Sequence, residues 1–431
     1  MFMGWRVAGQ HLCGGMKSKL RHIGNQYRAA FTGLSRPTWL LSVVMFINRA
    51  GTMAVPFMSM YVTQSMGRSL ADAGLVITLF GVGSVLGASA GGWLTDRVGF
   101  RPVQIGAALC SGIMFIVFAF VHNFGWLCIT TVLLAFVAEA FRPANFTAIA
   151  AYSKPAVLTR SYSLNRLAIN LGWAVGGALG GLLASIDYTL IFYMDGATNL
   201  LAALLIWLLL PGANKHKASQ PQEAPPERII RPWQDGFFMR FIFLVMLYNT
   251  CFFLVFRLVP VFWKESWGLG ERNIGLVLGL NGVIIALFEM MLVNRWEGKR
   301  PVMHYIIAGC IANAIGFGVL LLPGGWPLLL ATVCMVFMTV GEMLAMPFMN
   351  TLIMRRSNAY NRGQYAAGYT LSWSFAQIIG PAGGAFIAQH GGYLSLWLTI
   401  IGLCVMVAWG FRWLHLKTPA PAPAMANTNH V

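Results

Sequence analysis

The stretch GGWLTDRVGFRPV, from Gly91 to Val103, joins two long apolar runs through a short charged turn. The runs cover approximately residues 71–93 and 103–122, and about 20 apolar residues are enough for one helix to cross a bilayer. Similar runs recur along all 431 residues, of which 57% are hydrophobic and 10% are charged, whereas soluble proteins carry about 25% charged residues. The composition predicts an integral membrane protein and excludes a soluble enzyme.

The chain contains six apolar runs, then a linker, then six further apolar runs. They are continuous and do not alternate with a period of two, which favours helices over a porin-type barrel. The proline-rich stretch from Pro211 to Asp235 separates the two sets and has linker composition. We predict an all-α membrane protein with a basic cytoplasmic arm over residues 1–37, a six-helix bundle over 38–210, a linker over 211–236, a second six-helix bundle over 237–415 and a cytoplasmic tail over 416–431.

The first 36 residues form a basic arm that contains no acidic residue. Transit peptides have a similar composition, and an upstream start codon ahead of a true start at Met16 would produce the same pattern. We expect a cytoplasmic arm; the alternatives are a transit peptide, or a start at Met16 with residues 1–15 outside the native protein.

The positive charge of the chain indicates membrane topology. Lys and Arg number 30 against 13 Asp and Glu, and cytoplasmic loops of membrane proteins collect Lys and Arg. With the amino terminus inside, 24 of the 30 fall at the cytoplasmic face, including Arg160 and Arg166, while Arg49, Arg142 and Arg257 fall within spans. We therefore predict a multi-pass protein of the cell inner membrane with both termini cytoplasmic and no nucleic-acid partner.

The two sets of runs are related by an internal repeat. At an offset of about 203 residues, the same residue types recur in corresponding runs. The matched pairs are Glu139 with Glu342, Tyr162 with Tyr365, Gly177 with Gly380, Gly180 with Gly383 and Gly181 with Gly384. Pseudo-symmetric halves are typical of transporters that bind their substrate between the repeats, near the bilayer midplane.

The turn quoted above resembles the loop 2–3 signature of the major facilitator superfamily, G-x-L-x-D-R-x-G-R-R/K. The matching residues are Gly92, Leu94, Asp96, Arg97, Gly99 and Arg101, with Phe100 at a position where the family usually has a basic residue. The resemblance implies a twelve-helix fold in which Asp96 faces the amino end of a neighbouring helix and latches the cytoplasmic side. A carboxylate at such a position is worth about 0.3–1 kcal/mol, which is small enough to break during transport. The alternative is a tight charged turn without a gating role. A second, degenerate copy of the turn contains Glu297.

Small residues recur at helical spacing in the fifth and eleventh runs. They are Gly177, Gly180 and Gly181 in the fifth, and Gly380, Pro381, Gly383 and Gly384 in the eleventh. Small residues allow helix backbones to approach closely, so we predict a packing role. The fifth run also resembles a glycine-rich motif of superfamily exporters, G-x-x-x-G-P-x-x-G-G, but Gly177 replaces its proline.

Few charged residues lie inside the spans, where each costs at least about 2.5–3.5 kcal/mol on the insertion scale. The tenth span, TVGEMLAMPFM, and the first, NRAGTMAVPFMSMY, resemble drug:proton antiporters, in which acids of the tenth and fourth spans are implicated in proton coupling. The resemblance points to Glu342 and Glu139 as proton-coupling residues, and Asp195 is a third candidate. We expect Arg49 and Arg142 to line the cavity as counter-charges, and Asn48 either to line the cavity or to form a helix–helix hydrogen bond. Alternatively, Glu139 and Arg142 form a static ion pair.

Together these features predict a proton-coupled secondary transporter. We expect an exporter of small amphipathic or cationic compounds that works by alternating access and exchanges its substrate for protons. The alternative is a proton-linked importer of a sugar, peptide or organic anion, with Arg49 binding a carboxylate. We expect no enzymatic activity, no metal and no cofactor, a proton gradient as the energy source, and a monomer in the lipid bilayer.

Overall fold

The computed structural model describes residues 24–25, 28–211, 231–358 and 360–417. Most of the predicted arm, most of the predicted linker and nearly all of the predicted tail lie outside these residues. Within the described chain the secondary structure is helical, without strands. Ten helices of the described residues are long and apolar enough to cross a membrane. The first span is broken into shorter pieces, and the last helix contains two spans. The result is the predicted all-α membrane fold of twelve spans.

The first half contains spans one to six. The first span consists of Arg36–Ala50, Ala54–Met60 and a π-helical turn over Tyr61–Ser65. The other spans are Leu70–Val98, Phe100–Ala119, Phe124–Tyr152, Leu158–Ile186 and Tyr188–Leu209, with a short 3-10 turn over Pro155–Val157 before the fifth.

The second half contains spans seven to twelve. After a 3-10 turn over Pro232–Gln234, the seventh span comprises Gly236–Arg257 and Val259–Glu265. The eighth comprises Glu271–Ile284, a π-helical turn over Ile285–Glu289 and Met290–Trp296. The ninth and tenth are Val302–Val319 and Pro327–Arg356. The eleventh and twelfth form the helix Arg362–Lys417, which bends at Gly392, where φ is 74°.

Glycines set the closest approach of the second span to its neighbours. A Cβ at Gly87 or Gly91 would collide with the backbone of the fourth span, at Phe136 and Ala140 respectively. Backbones can come this close only where the side chain is a hydrogen atom. Gly99 has a φ of 93°, a conformation that favours glycine. This residue lies between the end of the second span and the start of the third. The glycine pattern of the quoted turn therefore has a direct structural cause.

The seventh span begins at a polar cap formed by Asp235. Asp235 accepts hydrogen bonds from the backbone N–H of Phe237 and Phe238 at 3.1 and 3.2 Å. Its carboxylate also accepts two bonds from Arg356, at 2.5 and 2.8 Å, and one from the hydroxyl of Tyr365 at 2.8 Å. Asp235 thus ties together the start of the seventh span, the end of the tenth and the start of the eleventh.

The Asp235 cap predicts a loss of stability in acid. Burial alone would raise the pKa of this carboxyl, but the hydrogen bonds from Arg356, Phe238 and Tyr365 outweigh it and leave the pKa below its ordinary value. A lowered pKa in the folded state contributes stability above the ordinary value of about 3.9, and this contribution disappears as the pH falls through the lowered pKa. Thermal unfolding in detergent should therefore show a smaller drop in melting temperature below about pH 4 for Asp235→Asn than for the parent. Equal drops in the two proteins would contradict the assignment.

Candidate functional site

The first span is interrupted at Gly51, Thr52 and Met53, between its two α-helical pieces. The carboxylate of Asp195, on the sixth span, accepts hydrogen bonds from the N–H groups of Met53 and Ala54 at 2.8–3.0 Å. Asp195 is fully buried. It therefore caps the outer piece of the first span, because the first N–H groups of a helix have no partner within the helix. The sequence gives no signal for this capping role, and proton coupling by Asp195 stays a prediction.

Asn48 lies one helical turn before the same interruption. Its side-chain amide donates to Asn199 at 2.9 Å, and Asn199 donates to the backbone oxygen of Asp195 at 2.8 Å. Asn48 is 7% exposed. It thus forms a second connection between the first span and the sixth, beside the bonds to Asp195.

The fifth span packs against the first beside Arg49. A Cβ at Gly172 would lie 2.7 Å from the Cβ of Arg49, and one at Gly176 would lie 2.9 Å from the backbone oxygen of Ala50. Within the part of the chain that the structure describes, Arg49 forms no ion pair. Its charge lies in the middle of the first span, about 20 Å along the helix from Arg36.

Glu139 and Arg142 form an ion pair on the fourth span, with Nη1 of Arg142 3.0 Å from Oε2 of Glu139. The side chains are 15% and 31% exposed, respectively. The guanidinium of Arg142 also lies 5.8 Å from the ring centre of Trp373, on the eleventh span, which is within cation–π range. Arg142 therefore joins an acid of its own span to an aromatic ring of the other half.

Trp373 belongs to an aromatic wall contributed by the seventh and eleventh spans, Phe252, Phe253, Phe256, Tyr369 and Trp373. The ring centres of Phe252 and Phe253 lie 5.5 and 5.3 Å from that of Trp373. Tyr369 also lies 5.2 Å from Phe146, in the first half. Aromatic faces of this kind attract cations and planar apolar groups.

A buried cluster of charges connects the two halves. Arg166, on the fifth span, donates to Glu289 at 3.1–3.3 Å and to Glu342 at 2.9 Å. Glu342 also accepts a bond from the side chain of Asn281 at 3.1 Å. We call Arg166, Glu289, Glu342 and Asn281 the Arg166 cluster. Two carboxylates share one guanidinium, so the cluster has an excess negative charge when both acids are ionised.

Local helix geometry positions the acids of the Arg166 cluster. Glu289 is the last residue of the π-helical turn Ile285–Glu289 and is fully buried. A π-helical turn inserts one residue into a helix, which redirects the side chains around it, and such turns are frequent at functional sites. Arg166 lies about 12 Å along the fifth span from its first residue, Leu158. The sequence-based placement of Arg166 at the cytoplasmic face is therefore wrong.

The quoted turn lies at a contact between the two halves. Asp96 accepts hydrogen bonds from the N–H groups of Gly363 and Gln364 at 2.6 and 2.9 Å, at the amino end of the eleventh span. The motif implied this position for Asp96, whereas its role in transport stays a prediction. Gly92 lies against Gly363, where a Cβ would come 2.6 Å from the backbone oxygen.

Two other residues of the turn bind within the first half. Arg97 lies over the ring of Trp93, at 4.0 Å, and Arg101 donates to the backbone oxygen of Trp207 at 2.7 Å. Arg101 therefore attaches the start of the third span to the end of the sixth.

Glu297, in the second copy of the turn, makes the reciprocal contact. It accepts hydrogen bonds from the backbone N–H of Thr159 at 2.9 Å and from Nε of Arg160 at 3.2 Å. These groups lie at the amino end of the fifth span. Asp96 and Glu297 thus each cap a helix of the opposite half, and both contacts join the two halves.

The small residues of the fifth and eleventh spans divide into two groups. Gly180 packs on Met53 and Phe57, Gly380 packs on Thr250, and Gly384 packs on Leu254. A Cβ at Gly177, Gly181 or Gly383 would meet no atom within 4 Å, so the predicted packing role does not extend to these three positions. Pro381 lies within the eleventh span and is partly exposed. In the fifth span, Gly172 and Gly176 pack closely instead.

The chain is similar to known transporters over most of its length. A family model described as Major Facilitator Superfamily matches residues 38–371. An uncharacterized MFS-type transporter, YttB of Bacillus subtilis, is 25% identical over 386 residues, covering 86% of this chain and 94% of that protein. A Na(+), Li(+), K(+)/H(+) antiporter of Planococcus maritimus is 23% identical, with 78% and 85% covered. The multidrug resistance protein MdtH of Salmonella arizonae is also 23% identical, with 76% and 81% covered.

Solved structures show the same fold. The human organic anion transporter MFSD10 (TETRAN) superimposes with a TM-score of 0.69 at 14% sequence identity, covering 87% of this chain and 99% of that one. The match of the family model to more than half of the residues, together with the helical architecture, shows that the chain belongs to the major facilitator superfamily of membrane transporters.

Proposed function

We propose that the protein exports small amphipathic or cationic compounds across the inner membrane in exchange for protons. The observation that carries the proposal is the Arg166 cluster, in which an arginine of one half is bound to two acids of the other. We expect the protein to work as a monomer with both termini in the cytoplasm. The proton gradient is its energy source, and it needs no cofactor.

The Arg166 cluster links the protonation of the acids to the conformation of the halves. Opening of the cytoplasmic side separates the fifth span from the eighth and tenth, and Arg166 then moves away from Glu289 and Glu342. A buried carboxylate that loses its counter-charge binds a proton more strongly. Protonation therefore favours the state that is open to the cytoplasm, and proton release favours the closed state.

The groups in contact with Arg142 indicate the chemical class of the substrate. This guanidinium lies between the carboxylate of Glu139 and the aromatic ring of Trp373. A cationic aromatic compound presents the same combination of positive charge and planar surface. A relative named as a multidrug resistance protein and another named as a cation/H(+) antiporter support export against protons.

Arg49 favours a second candidate function, proton-linked import of a small organic anion. Within the described residues it lacks an ion-pair partner, and a charge in the middle of a span must be compensated by a partner or a ligand. A substrate carboxylate would provide this compensation. The fold neighbour MFSD10 is named as an organic anion transporter.

The direction of ethidium movement in proteoliposomes with an acidic lumen tests these alternatives. Antiport drives a substrate into the acidic compartment and symport drives it out, whichever way the protein is inserted. Ethidium carries a permanent charge, so a pH gradient alone does not trap it. With the membrane potential clamped by potassium and valinomycin, we expect accumulation in the lumen. A permanently charged organic anion such as benzenesulfonate that leaves the lumen together with protons, and does not leave protein-free liposomes, with no ethidium movement, would favour the importer.

A further inference from the structure

The described end of the amino-terminal arm, residues 28–34, lies across the boundary between the halves. Ala30 is fully buried in one apolar cluster with Leu164 and Met290. Leu164 belongs to the fifth span, in the first half, and Met290 to the eighth, in the second half. Phe31 and Leu34 pack against the same cluster. One short segment thus contacts both halves at once.

Arg160 binds the same segment. Its Nη1 donates to the backbone oxygens of Ala29 and Thr32, each at 3.2 Å. Through Nε, the same guanidinium donates to Glu297 of the second half. Carbonyl groups at the end of a helical turn carry partial negative charge and attract cations. Arg160 therefore joins the arm, the fifth span and Glu297.

The segment is attached firmly to the first half. After the helical turn, Gly33 has a φ of 79° and redirects the chain toward the first span. Ser35 then caps that span, and its hydroxyl donates to the backbone oxygen of Tyr152 at 2.7 Å. The side chain of Ala30 is thereby held at a fixed position toward Met290.

We propose that residues 28–34 are a docking segment that holds the cytoplasmic side closed, in addition to Asp96 and Glu297. Separation of the halves removes Met290 from Ala30 and Leu164, exposes apolar surface and breaks the bond between Arg160 and Glu297. Each of these changes opposes opening. The docking segment consequently shifts the conformational equilibrium toward the state closed to the cytoplasm.

Spin-label distances across the cytoplasmic side test the proposal without a substrate. Labels at cysteines replacing Lys154 and Lys299, both exposed and on opposite halves, report opening once the seven native cysteines are replaced. We expect Ala30→Gln to raise the ratio of open to closed protein at least about threefold, because a differential contact with one state shifts the equilibrium. Ala29→Gln makes the same chemical change at an exposed neighbour and should leave the ratio unchanged.

A cross-link provides a second measurement that does not depend on whether the Ala30→Gln variant folds normally. In the same background without labels, the pair Ala30→Cys and Met290→Cys should oxidise rapidly in membranes, measured as loss of maleimide labelling that a reductant restores. The pair Ala29→Cys and Met290→Cys is the matched control. Equal oxidation of the two pairs, or equal distance distributions for the two glutamine variants, would overturn the proposal. Because neither readout involves transport, their outcome is separate from that of the ethidium assay.

Discussion

Arg166→Gln is expected to lower proton-driven ethidium transport by about a hundredfold or more. The substitution leaves Glu289 and Glu342 buried next to each other without a counter-charge, and removal of one partner from a buried ion pair costs about 3–5 kcal/mol. Each 1.4 kcal/mol by which the closed state is destabilised relative to the open state changes the ratio of the two states by about a factor of ten. The acids will then take up protons, and the spin-label pair at positions 154 and 299 should report a larger fraction of protein open to the cytoplasm.

Two variants separate this effect from a general loss of folding. Arg240→Gln makes the same change at an exposed arginine of the seventh span, and such surface changes usually alter stability by no more than about 0.5 kcal/mol. The double variant Arg166→Gln with Glu289→Gln removes one of the uncompensated acids. We expect it to recover thermal stability but not coupled transport. Wild-type transport in Arg166→Gln would exclude the cluster from the mechanism.

Glu342→Gln is expected to abolish the release of protons when ethidium binds to the purified protein. Glu342 is the acid of the Arg166 cluster that lies in the middle of its span, and it is only 6% exposed. In the proposed mechanism Glu342 is protonated in the state that is open to the cytoplasm, where it has lost Arg166. A cation that binds near it there favours the ionised form, so binding should expel a proton. Glutamine keeps the hydrogen bond with Asn281 possible but carries no titratable proton. Release is measured with a pH indicator in weak buffer, and binding is measured by ethidium fluorescence.

Asp187→Asn is the control for Glu342→Gln. Asp187 is exposed and caps the sixth span by accepting a bond from the N–H of Thr189 at 2.8 Å. Removal of the Asp187 carboxylate should leave proton release unchanged. If release persists in Glu342→Gln while ethidium still binds, the proton comes from another acid, and Glu139→Gln is the next variant to measure. Absence of release from the unmodified protein with ethidium bound would contradict proton exchange itself.

The spans and the quoted turn could be predicted from the sequence because their signals are local. A run of apolar residues determines a span by its own length, and the spacing of Gly92, Asp96 and Gly99 lies within a single turn. The position of Asp96 at a helix amino terminus was likewise implied by the motif. These features depend on residues that are close together in the chain.

The Arg166 cluster could not be predicted because its partners are distant in the chain. Arg166 is separated from Glu289 by 123 residues and from Glu342 by 176. The available signal was that Arg166 and Glu289 both fall inside apolar runs, where an isolated charge requires compensation. Counting charges by loop assigned Arg166 to the cytoplasmic face and obscured this signal. The cap formed by Asp195 was missed for a similar reason, since its partner is a backbone interruption in a different span.

The reciprocal caps of Asp96 and Glu297 give the boundary between the halves the character of an isologous interface. In a twofold homodimer each subunit uses the same patch to bind the other, and here each half presents an acid from its second-to-third helix turn to a fifth-helix amino end of the other. A contact of this kind can form between two separate copies of one six-helix chain before any gene fusion. The amino-terminal arm breaks this symmetry. In the described chain it contacts Arg160, beside Glu297, on only one of the two equivalent sides.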